Sequence, residues 1–178
     1  MTEKRYVFPS SADGVLKGLG PLATPAFKAH LKAHGLDFDK VPPAIPLEEW
    51  QPQLVRIATF AWPKETTAEA MRLLGLSFVR GWKNTAIGAA ASAVLRLIGP
   101  ARTLTRLDRA FRTSDNFTKA ETELISSNEA LISINEVHGY PSFWTGILQG
   151  GLEMLGRTGT VEVDQVSLPG ARLRVKWD

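Results

Sequence analysis

The sequence predicts an α+β fold in which a helical N-terminal part packs on one face of a mainly antiparallel sheet. Apolar residues recur three and four positions apart over residues 24–111, which is the spacing of amphipathic helices. The period then changes to the alternation typical of strands, in two hairpins separated by one helix. Strands do not alternate singly with helices, so a parallel sheet is not expected. We expect the order β-αααα(α)-ββ-α-ββ in a single domain spanning residues 1–178.

The helices of the N-terminal part are marked by apolar stripes and by residues that start or stop helices. A short strand over residues 5–8, stopped by Pro9, precedes them. Thr66 and Glu69 have the spacing of a capping box, and Gly99 with Pro100 interrupts the helical pattern. The predicted helices cover residues 24–34, 47–61, 67–82, 86–98 and 104–111.

The C-terminal part contains two predicted hairpins, one on each side of a helix. In the last strand Arg172, Arg174 and Lys176 alternate with apolar residues, so one face is charged and the other is apolar. Glu162 and Asp164 would oppose these bases as cross-strand pairs on a solvated face. The predicted strands cover residues 118–125, 130–137, 161–166 and 172–177, and the helix covers residues 142–155.

Composition excludes several classes of function. The 178 residues include no cysteine, which excludes disulfides, thiolate metal sites and a cysteine nucleophile. The chain lacks a glycine-rich nucleotide loop, a nucleophile elbow and a zinc-protease helix motif, so no catalytic residue is assigned. The longest weakly charged stretch, residues 84–95, is shorter than the roughly 20 residues of a membrane span. With no signal-peptide pattern, we expect a cytoplasmic protein.

Basic residues are concentrated in one part of the chain. Residues 80–112 hold seven lysines and arginines against the single acid Asp108, whereas residues 117–164 lean acidic. This asymmetry is compatible with internal complementarity, with a phosphate-attracting face or with a surface for a partner. The net charge of +3 and the absence of a reading motif argue against nucleic-acid binding.

Four arginines form the most distinctive pattern. Arg102, Arg106, Arg109 and Arg112 recur at intervals of four, three and three, which predicts one stripe along a helix. Such a stripe would bind anions or an acidic protein partner. The alternative is a solvated or salt-bridged helix face.

Histidine is scarce, and His138 is the strongest single candidate for a functional residue. It follows a predicted strand and would bind ligand, relay a proton or coordinate haem, or else shape the turn. His30 and His34 are four residues apart on a predicted helix, with Asp37 and Asp39 nearby. Because a metal site needs a third well-placed ligand, we assign no metal there and read these histidines as surface residues.

Aromatic residues at helical spacing suggest an apolar ligand pocket between the helices and the sheet. Small residues over positions 88–92 would leave room for the ligand, or would let another element approach closely. Core packing is the alternative for the same residues. The candidate ligand-binding residues are Phe78, Trp82, His138, Tyr140, Phe143 and Trp144.

Three segments carry a family resemblance that extends over nearly the whole chain. Residues 99–113, the tripeptide Gly35-Leu36-Asp37 and the ending from Gly159 to Trp177 resemble an uncharacterised myxobacterial (Myxococcus-type) paralogous family. The order of elements is distantly similar to the superfamily of haem-nitric-oxide-binding and four-vinyl-reductase ligand-sensing domains.

The distant resemblance implies a sensing domain but does not imply haem. Haem binders of that superfamily use a Tyr-x-Ser-x-Arg motif for the propionates. This chain has Tyr140 and Ser142 in the corresponding stretch, but Trp144 stands where the arginine belongs. The metal-binding cysteines of some four-vinyl-reductase-like domains are missing too. The cofactor therefore stays unassigned, and haem is not expected.

Two functional hypotheses follow, from different classes. The first is a cytoplasmic, non-enzymatic sensing or binding domain for a small apolar ligand, which signals through protein contacts. The second is an interaction module of a regulatory assembly that uses the arginine stripe or the acidic sheet, and a homodimer is compatible with either hypothesis. An enzyme ranks third, because it would need His138 in a cleft within hydrogen-bond reach of a carboxylate.

Overall fold

Seven α-helices and six strands make up the described part of the chain. The structure, a computed structural model, describes residues 4–84 and 86–178, and the side chains of residues 86 and 87 lie outside this description. The helices are α1 (Pro9–Leu19), α2 (Pro25–Ala33), α3 (Leu47–Ala61), α4 (Thr67–Lys83), α5 (Ala86–Leu104), α6 (Leu107–Phe111) and α7 (Pro141–Met154). The strands are β1 (Tyr6–Val7), β2 (Ile45–Pro46), β3 (Ala120–Ser126), β4 (Glu129–Ile134), β5 (Gly159–Ser167) and β6 (Gly170–Trp177).

The main sheet has four antiparallel strands in the order β3-β4-β6-β5. In the two central strands, every second side chain is buried, including Ile132, Ile134, Leu173 and Val175. Helix α7 packs against β5 and β6. The α+β class, the antiparallel pairing and both predicted hairpins are confirmed, and β1 with β2 forms a second, two-stranded sheet that the sequence did not predict.

Helix α4 is the centre of the helical layer and contacts α1, α3, α5 and α7. Its contacts with α1 and α7 are backbone-to-backbone at glycines. A Cβ atom placed on Gly18 would lie 2.0 Å from the carbonyl oxygen of Ser77, and one on Gly75 would lie 2.0 Å from that of Phe143. Since Cβ atoms essentially never approach within 3.0 Å of such atoms, these helices depend on glycine to pack this closely.

The start of the helical part differs from the prediction. Residues 5–8 were predicted as a strand stopped by Pro9, but the strand is only Tyr6–Val7 and Pro9 begins α1. Proline favours the first helical position, because its missing N–H would have no partner there. Gly14 and Gly18 obscured the helix, because glycine has low helix propensity yet is required where α1 meets α4.

Helices α2, α3 and α4 agree with the predicted ranges to within one residue at each end. The capping residue predicted before α4 is also present, since the Thr66 hydroxyl accepts a hydrogen bond from the Glu69 amide at 3.2 Å. The Glu69 carboxylate does not return a bond to the cap but pairs with Arg72 at 2.6 Å.

The chain between α5 and α6 is more broken than predicted. Gly99, with φ of 77°, separates α5 into two helical pieces, and Arg106 leaves the helix with φ of −117° and ψ of 11° before α6 begins. The prediction of one helix over residues 104–111 is therefore wrong. The four arginines consequently lie on two short helical segments and their junctions, and do not form one helical stripe.

The described helices were also considered as membrane spans. None in residues 4–84 or 86–178 has both the length and the apolar character that crossing a bilayer requires.

Candidate ligand-binding groove and adjoining cavity

An apolar groove of about 150 Å³ lies between helices α4, α5, α6 and α7. Helix α4 contributes Phe78 and Trp82, and α7 contributes Leu148 from the opposite side. Leu107 and Phe111 line the groove from α6, which the break at Gly99 and the turn at Arg106 direct across the helical layer.

A smaller cavity of about 40 Å³ adjoins the groove. Phe78, Phe111, Ser114 and Ile147 line both spaces. The other residues that line the cavity do not line the groove, and they include polar as well as aromatic side chains. Among them are Asp115, His138, Phe143 and Trp144.

His138 occupies a strained position after β4. Its φ of 54° lies in the left-handed region, which a histidine adopts only when its surroundings hold it there. Its amide donates a hydrogen bond to the Glu136 carboxylate at 2.9 Å, and Glu136 in turn accepts one from Arg5 at 2.7 Å. The turn therefore fixes the direction in which the imidazole enters the core.

The imidazole of His138 is enclosed by aromatic rings. It stacks on Trp144 with ring centres 5.8 Å apart and meets Phe143 and Phe117 edge-on at 6.0 Å. Burial lowers the pKa of His138 from 6.5 to about 4, so the ring is neutral at pH 7. Its Nδ1 atom is buried and has no hydrogen-bond partner among the described residues.

Trp144 is the other side chain of the cavity with a buried, unmatched polar atom; Gln53, which also has one, lines neither space. It is 3% exposed and packs edge-on against Phe111 at 5.0 Å. Its Nε1 atom, like Nδ1 of His138, has no partner within residues 4–84 and 86–178. Because most buried polar side-chain atoms in proteins are hydrogen-bonded, two such nitrogens beside one cavity indicate a place for a hydrogen-bonding molecule.

Asp115 borders the cavity, but its oxygens bind its own loop. They accept hydrogen bonds from the Phe117 amide at 2.9 Å, the Thr118 amide at 2.6 Å and the Thr118 hydroxyl at 2.7 Å. Burial raises the pKa of Asp115, and these hydrogen bonds oppose that rise. No hydrogen bond joins this carboxylate to His138 in the described part of the chain.

The predicted ligand-binding residues do not form a single cluster. Phe78 lines both spaces, Trp82 lines the groove, and Phe143 lines the cavity with its neighbours His138 and Trp144. Tyr140 borders neither space and instead precedes the first residue of α7.

The small residues of α5 do not border the groove or the cavity, so their predicted role in making room for a ligand is wrong. A Cβ atom on Gly88 would lie 2.0 Å from the carbonyl oxygen of Trp82, and Ser92 donates to the Gly88 carbonyl at 2.6 Å. Their alternative role, close approach between helices, is the one that the structure shows.

The four arginines are exposed, but they are not equivalent. Arg112 pairs with Asp108 at 2.8 Å. Arg106 borders the groove, whereas Arg102 and Arg109 do not. For Arg102, Arg106 and Arg109 the described residues provide no ion-pair partner, and of these three Arg106 lines the groove.

The other charged residues singled out by the sequence lie away from this site. The rings of His30 and His34 are tilted by 45° with their centres 4.6 Å apart, while Asp37 pairs with Lys32 at 2.8 Å. The described residues contain no group of three metal-ligating side chains. On the sheet, Asp164 accepts hydrogen bonds from both Arg172 and Arg174, as the predicted cross-strand pairing requires. Glu162 lies opposite Arg174 in the strand register, but Arg174 pairs with Asp164 and Glu129 instead.

Sequence reasoning did not identify Leu107, Phe111 and Asp115 as site residues. Leu107 and Phe111 fall within the helix predicted over residues 104–111, but no sequence pattern indicated what they would contact. Asp115 and Thr118 had a local signal, because an aspartate that binds amides two and three residues later forms a recognisable turn.

The helical layer on a four-stranded antiparallel sheet is an α+β fold similar to that of H-NOX domains. The chain belongs to the family described as Protein of unknown function (DUF2378), whose sequence profile matches residues 5–178. No curated protein sequence matches the chain. The resemblance to haem-nitric-oxide-binding domains that the element order suggested is confirmed at the level of fold.

Several solved H-NOX structures share this fold at low sequence identity. An oxygen-binding H-NOX domain related to soluble guanylate cyclases has a TM-score of 0.68 at 14% identity, covering 94% of this chain and 93% of its own. An Fe(II) unliganded H-NOX mutant from K. algicida has a TM-score of 0.68 at 9% identity, with coverages of 93% and 96%. A mutant of T. tengcongensis H-NOX has a TM-score of 0.63 at 14% identity, with coverages of 92% and 95%.

The residues around the groove lack the usual proximal ligand of a haem. Haem iron is most often held by histidine, and none of the three histidines lines the groove, where Met154 is, among the described lining residues, the one side chain of a type that ligates haem iron. His138 lies in the cavity of about 40 Å³, with Trp144 stacked on its ring. Large cofactors and drug-sized ligands occupy pockets of roughly 300 Å³ or more, so neither space holds a porphyrin.

Proposed function

We propose that this chain is a cytoplasmic, non-enzymatic sensing or binding domain that holds a small, largely apolar ligand in the groove between α4, α5, α6 and α7. The groove itself supports the proposal, because its volume of about 150 Å³ is bounded mainly by aliphatic and aromatic side chains. Apolar cavities of that size remain dry and bind benzene or xenon. The fold shared with H-NOX domains is consistent with a sensor. At a sequence identity of 9–14%, however, a shared fold does not identify the ligand of this chain.

Transmission of the bound state would pass through α6. This helix has only five residues and contributes Leu107 and Phe111 to the groove. It is preceded by the backbone breaks at Gly99 and Arg106, which let it move as a unit. The exposed Arg109 lies on the same helix, so displacement of α6 by a ligand would move a charge that a partner protein can read.

Benzene is the direct probe of the groove. We expect saturable binding with a Kd on the order of 1 mM or tighter, measured by calorimetry and by a rise in Tm. Gly151 lines the groove, and a Cβ atom there meets nothing within 4 Å. The variant Gly151→Leu should fill the groove and weaken benzene binding at least about tenfold without lowering Tm, because leucine is the better helix former.

The matched control is Gly151→Ala, which changes the same position but adds only one methyl group. It should keep benzene affinity within about threefold, since the groove remains largely open. Absence of binding to wild-type protein across benzene, toluene and xenon would overturn the proposal, and so would undiminished binding to Gly151→Leu.

A second candidate function is an interaction module, and the exposed cations favour it. Arg102, Arg106 and Arg109 face solvent without an ion-pair partner in the described residues. Exchanging all three for glutamate should abolish capture of an acidic protein partner in pull-down from the source organism, because each contact changes from attraction to repulsion. Tm should stay within about 3 °C of the wild-type value, and partner capture that survives the exchange would reject this candidate.

Several expectations from the sequence stay predictions. Cytoplasmic location, a single domain and the absence of catalysis are supported by the sequence patterns, and haem is disfavoured by the site geometry. A homodimer is compatible with the fold, and nucleic-acid binding is not expected.

A further inference from the structure

We infer that the cavity beside His138 and Trp144 is the polar end of the ligand site, so that the ligand is an uncharged, mainly apolar molecule carrying one hydrogen-bonding group. This inference rests on the proposed binding function of the groove and specifies the chemical class of its ligand.

The groove and the cavity adjoin, because four residues line both of them. Phe78, Phe111, Ser114 and Ile147 border both the groove and the cavity. A ligand whose apolar body lies against Phe78 and Phe111 from the groove side therefore ends next to the cavity. The cavity volume of about 40 Å³ exceeds the roughly 10–15 Å³ that one water needs, so it admits a hydroxyl or carbonyl group.

The two buried nitrogens without hydrogen-bond partners among the described residues, Trp144 Nε1 and His138 Nδ1, would recognise the polar group of the ligand. Trp144 Nε1 is always a donor, and neutral imidazole Nδ1 either donates or accepts, depending on its tautomer. Both atoms are buried without a partner among the described residues, although their side chains border the cavity. A hydroxyl group can accept from Trp144 and exchange a second hydrogen bond with His138, which would satisfy both atoms at once.

The charges around the cavity decide against an anionic head group. Asp115 borders the cavity, and its oxygens are held by Phe117 and Thr118. His138 is neutral at pH 7 and offers no compensating positive charge. A carboxylate placed here would be desolvated next to a second carboxylate, which is unfavourable. A cation would lose its hydration while Asp115 stays committed to its own loop.

Three probes of one size separate the alternatives: toluene, benzyl alcohol and benzoate. We expect wild-type protein to bind benzyl alcohol at least as tightly as toluene, although benzyl alcohol is the better hydrated molecule, because its hydroxyl is matched in the cavity. Benzoate should bind at least about tenfold more weakly than benzyl alcohol. Calorimetry at pH 7 measures all three affinities.

The variant Trp144→Phe removes the donor and keeps an aromatic ring. It should weaken benzyl alcohol binding about tenfold, because the hydroxyl is then buried without that partner, and change toluene binding by less than about threefold. Trp82→Phe is the matched control, since Trp82 lines the groove but not the cavity. It should change both affinities by the same factor. Tm and near-UV circular dichroism establish that each variant is folded.

Each outcome bears on the inference in a defined way. Tighter binding of toluene than of benzyl alcohol, or equal losses of both ligands in Trp144→Phe, would overturn the polar end while leaving the groove function intact. Tighter binding of benzoate than of benzyl alcohol would overturn the uncharged class and point to Arg106. Failure of all three probes to bind would overturn the groove function and this inference together. If Trp144→Phe does not fold, the wild-type ranking of the three probes still decides.

Discussion

Replacing Gly146 with alanine is expected to cost about 3 kcal/mol or more of the free energy of unfolding. The added Cβ atom would lie 1.9 Å from the Arg72 carbonyl oxygen and 2.8 Å from the Leu76 amide nitrogen. Both neighbours are backbone atoms of α4, so relief requires α4 and α7 to separate. That movement would loosen the wall that these helices form around the groove, and urea denaturation measures the loss.

Gly151→Ala is the control for this effect, because it lies on the same helix five residues later. A Cβ atom at Gly151 meets nothing within 4 Å. Both substitutions carry the same gain in helix propensity, up to about 1 kcal/mol, so their difference isolates the contact with α4. Gly151→Ala should be neutral to stabilising. Equal stability of the two variants would show that α4 and α7 do not approach as closely as described.

Acidification from pH 6.5 to pH 4 is expected to remove stability through His138. Burial lowers its pKa from 6.5 to about 4 in the folded protein, so the unfolded chain binds its proton first as the pH falls. The contribution is fully present above pH 6.5 and is lost as the pH falls towards the folded pKa. A shift of this size corresponds to about 3 kcal/mol.

Other groups with shifted pKa values act mainly at lower pH. Hydrogen bonds from Arg174 and Arg172 lower the pKa of Asp164, and a bond from Arg72 lowers that of Glu69. Their contributions are lost below the ordinary carboxyl range. Asp115 has the opposite sign, because burial raises its pKa and its protonation favours the folded state. Asp115 therefore offsets part of the loss through His138 as the pH falls, and comparison with a His138 variant isolates the histidine's share.

The variant His138→Asn tests this assignment, since asparagine tolerates a positive φ and does not titrate. It should be less stable than wild type at pH 7, because the stacking on Trp144 is lost, but its stability should vary less between pH 7 and pH 4.5. Urea unfolding at both pH values gives the difference. If the free energy of unfolding fell equally between pH 7 and pH 4.5 in the variant and the wild type, His138 would not be buried in neutral form.

Much of the fold follows from patterns that are local in the sequence. Helices α3 and α4 have amphipathic stripes, α4 also has a capping threonine, and β6 alternates between charged and apolar residues from Arg172 to Trp177. Helix α1 lacked such a signal because its glycines serve the contact with α4, a tertiary requirement that lowers local propensity. The prediction of an arginine stripe was wrong because spacings of three and four residues place side chains on one face only along an unbroken helix. The helix is interrupted at Arg106.

The candidate site was only partly accessible to sequence reasoning. The sequence singled out Phe78, Trp82 and His138, because aromatic residues and a single histidine near a turn stand out. These residues line the groove or the cavity, and their role in binding a ligand stays a prediction. The contribution of α6 to the groove was not predicted from the sequence. The direction of this helix depends on the positive φ of Gly99 and on contacts with α7. The division into an apolar groove and a cavity with polar groups arises from packing between segments that are distant in the sequence. Local sequence patterns do not predict such packing.

Nuclear Overhauser contacts between bound benzene and the protein would locate the ligand directly. We predict contacts from benzene protons to the methyl groups of Leu107 and Leu148 and to the ring of Phe111, all of which line the groove. These contacts should disappear in Gly151→Leu. Benzene contacts confined to residues outside the groove, or none at concentrations well above 1 mM, would contradict the assignment of this groove as the ligand site.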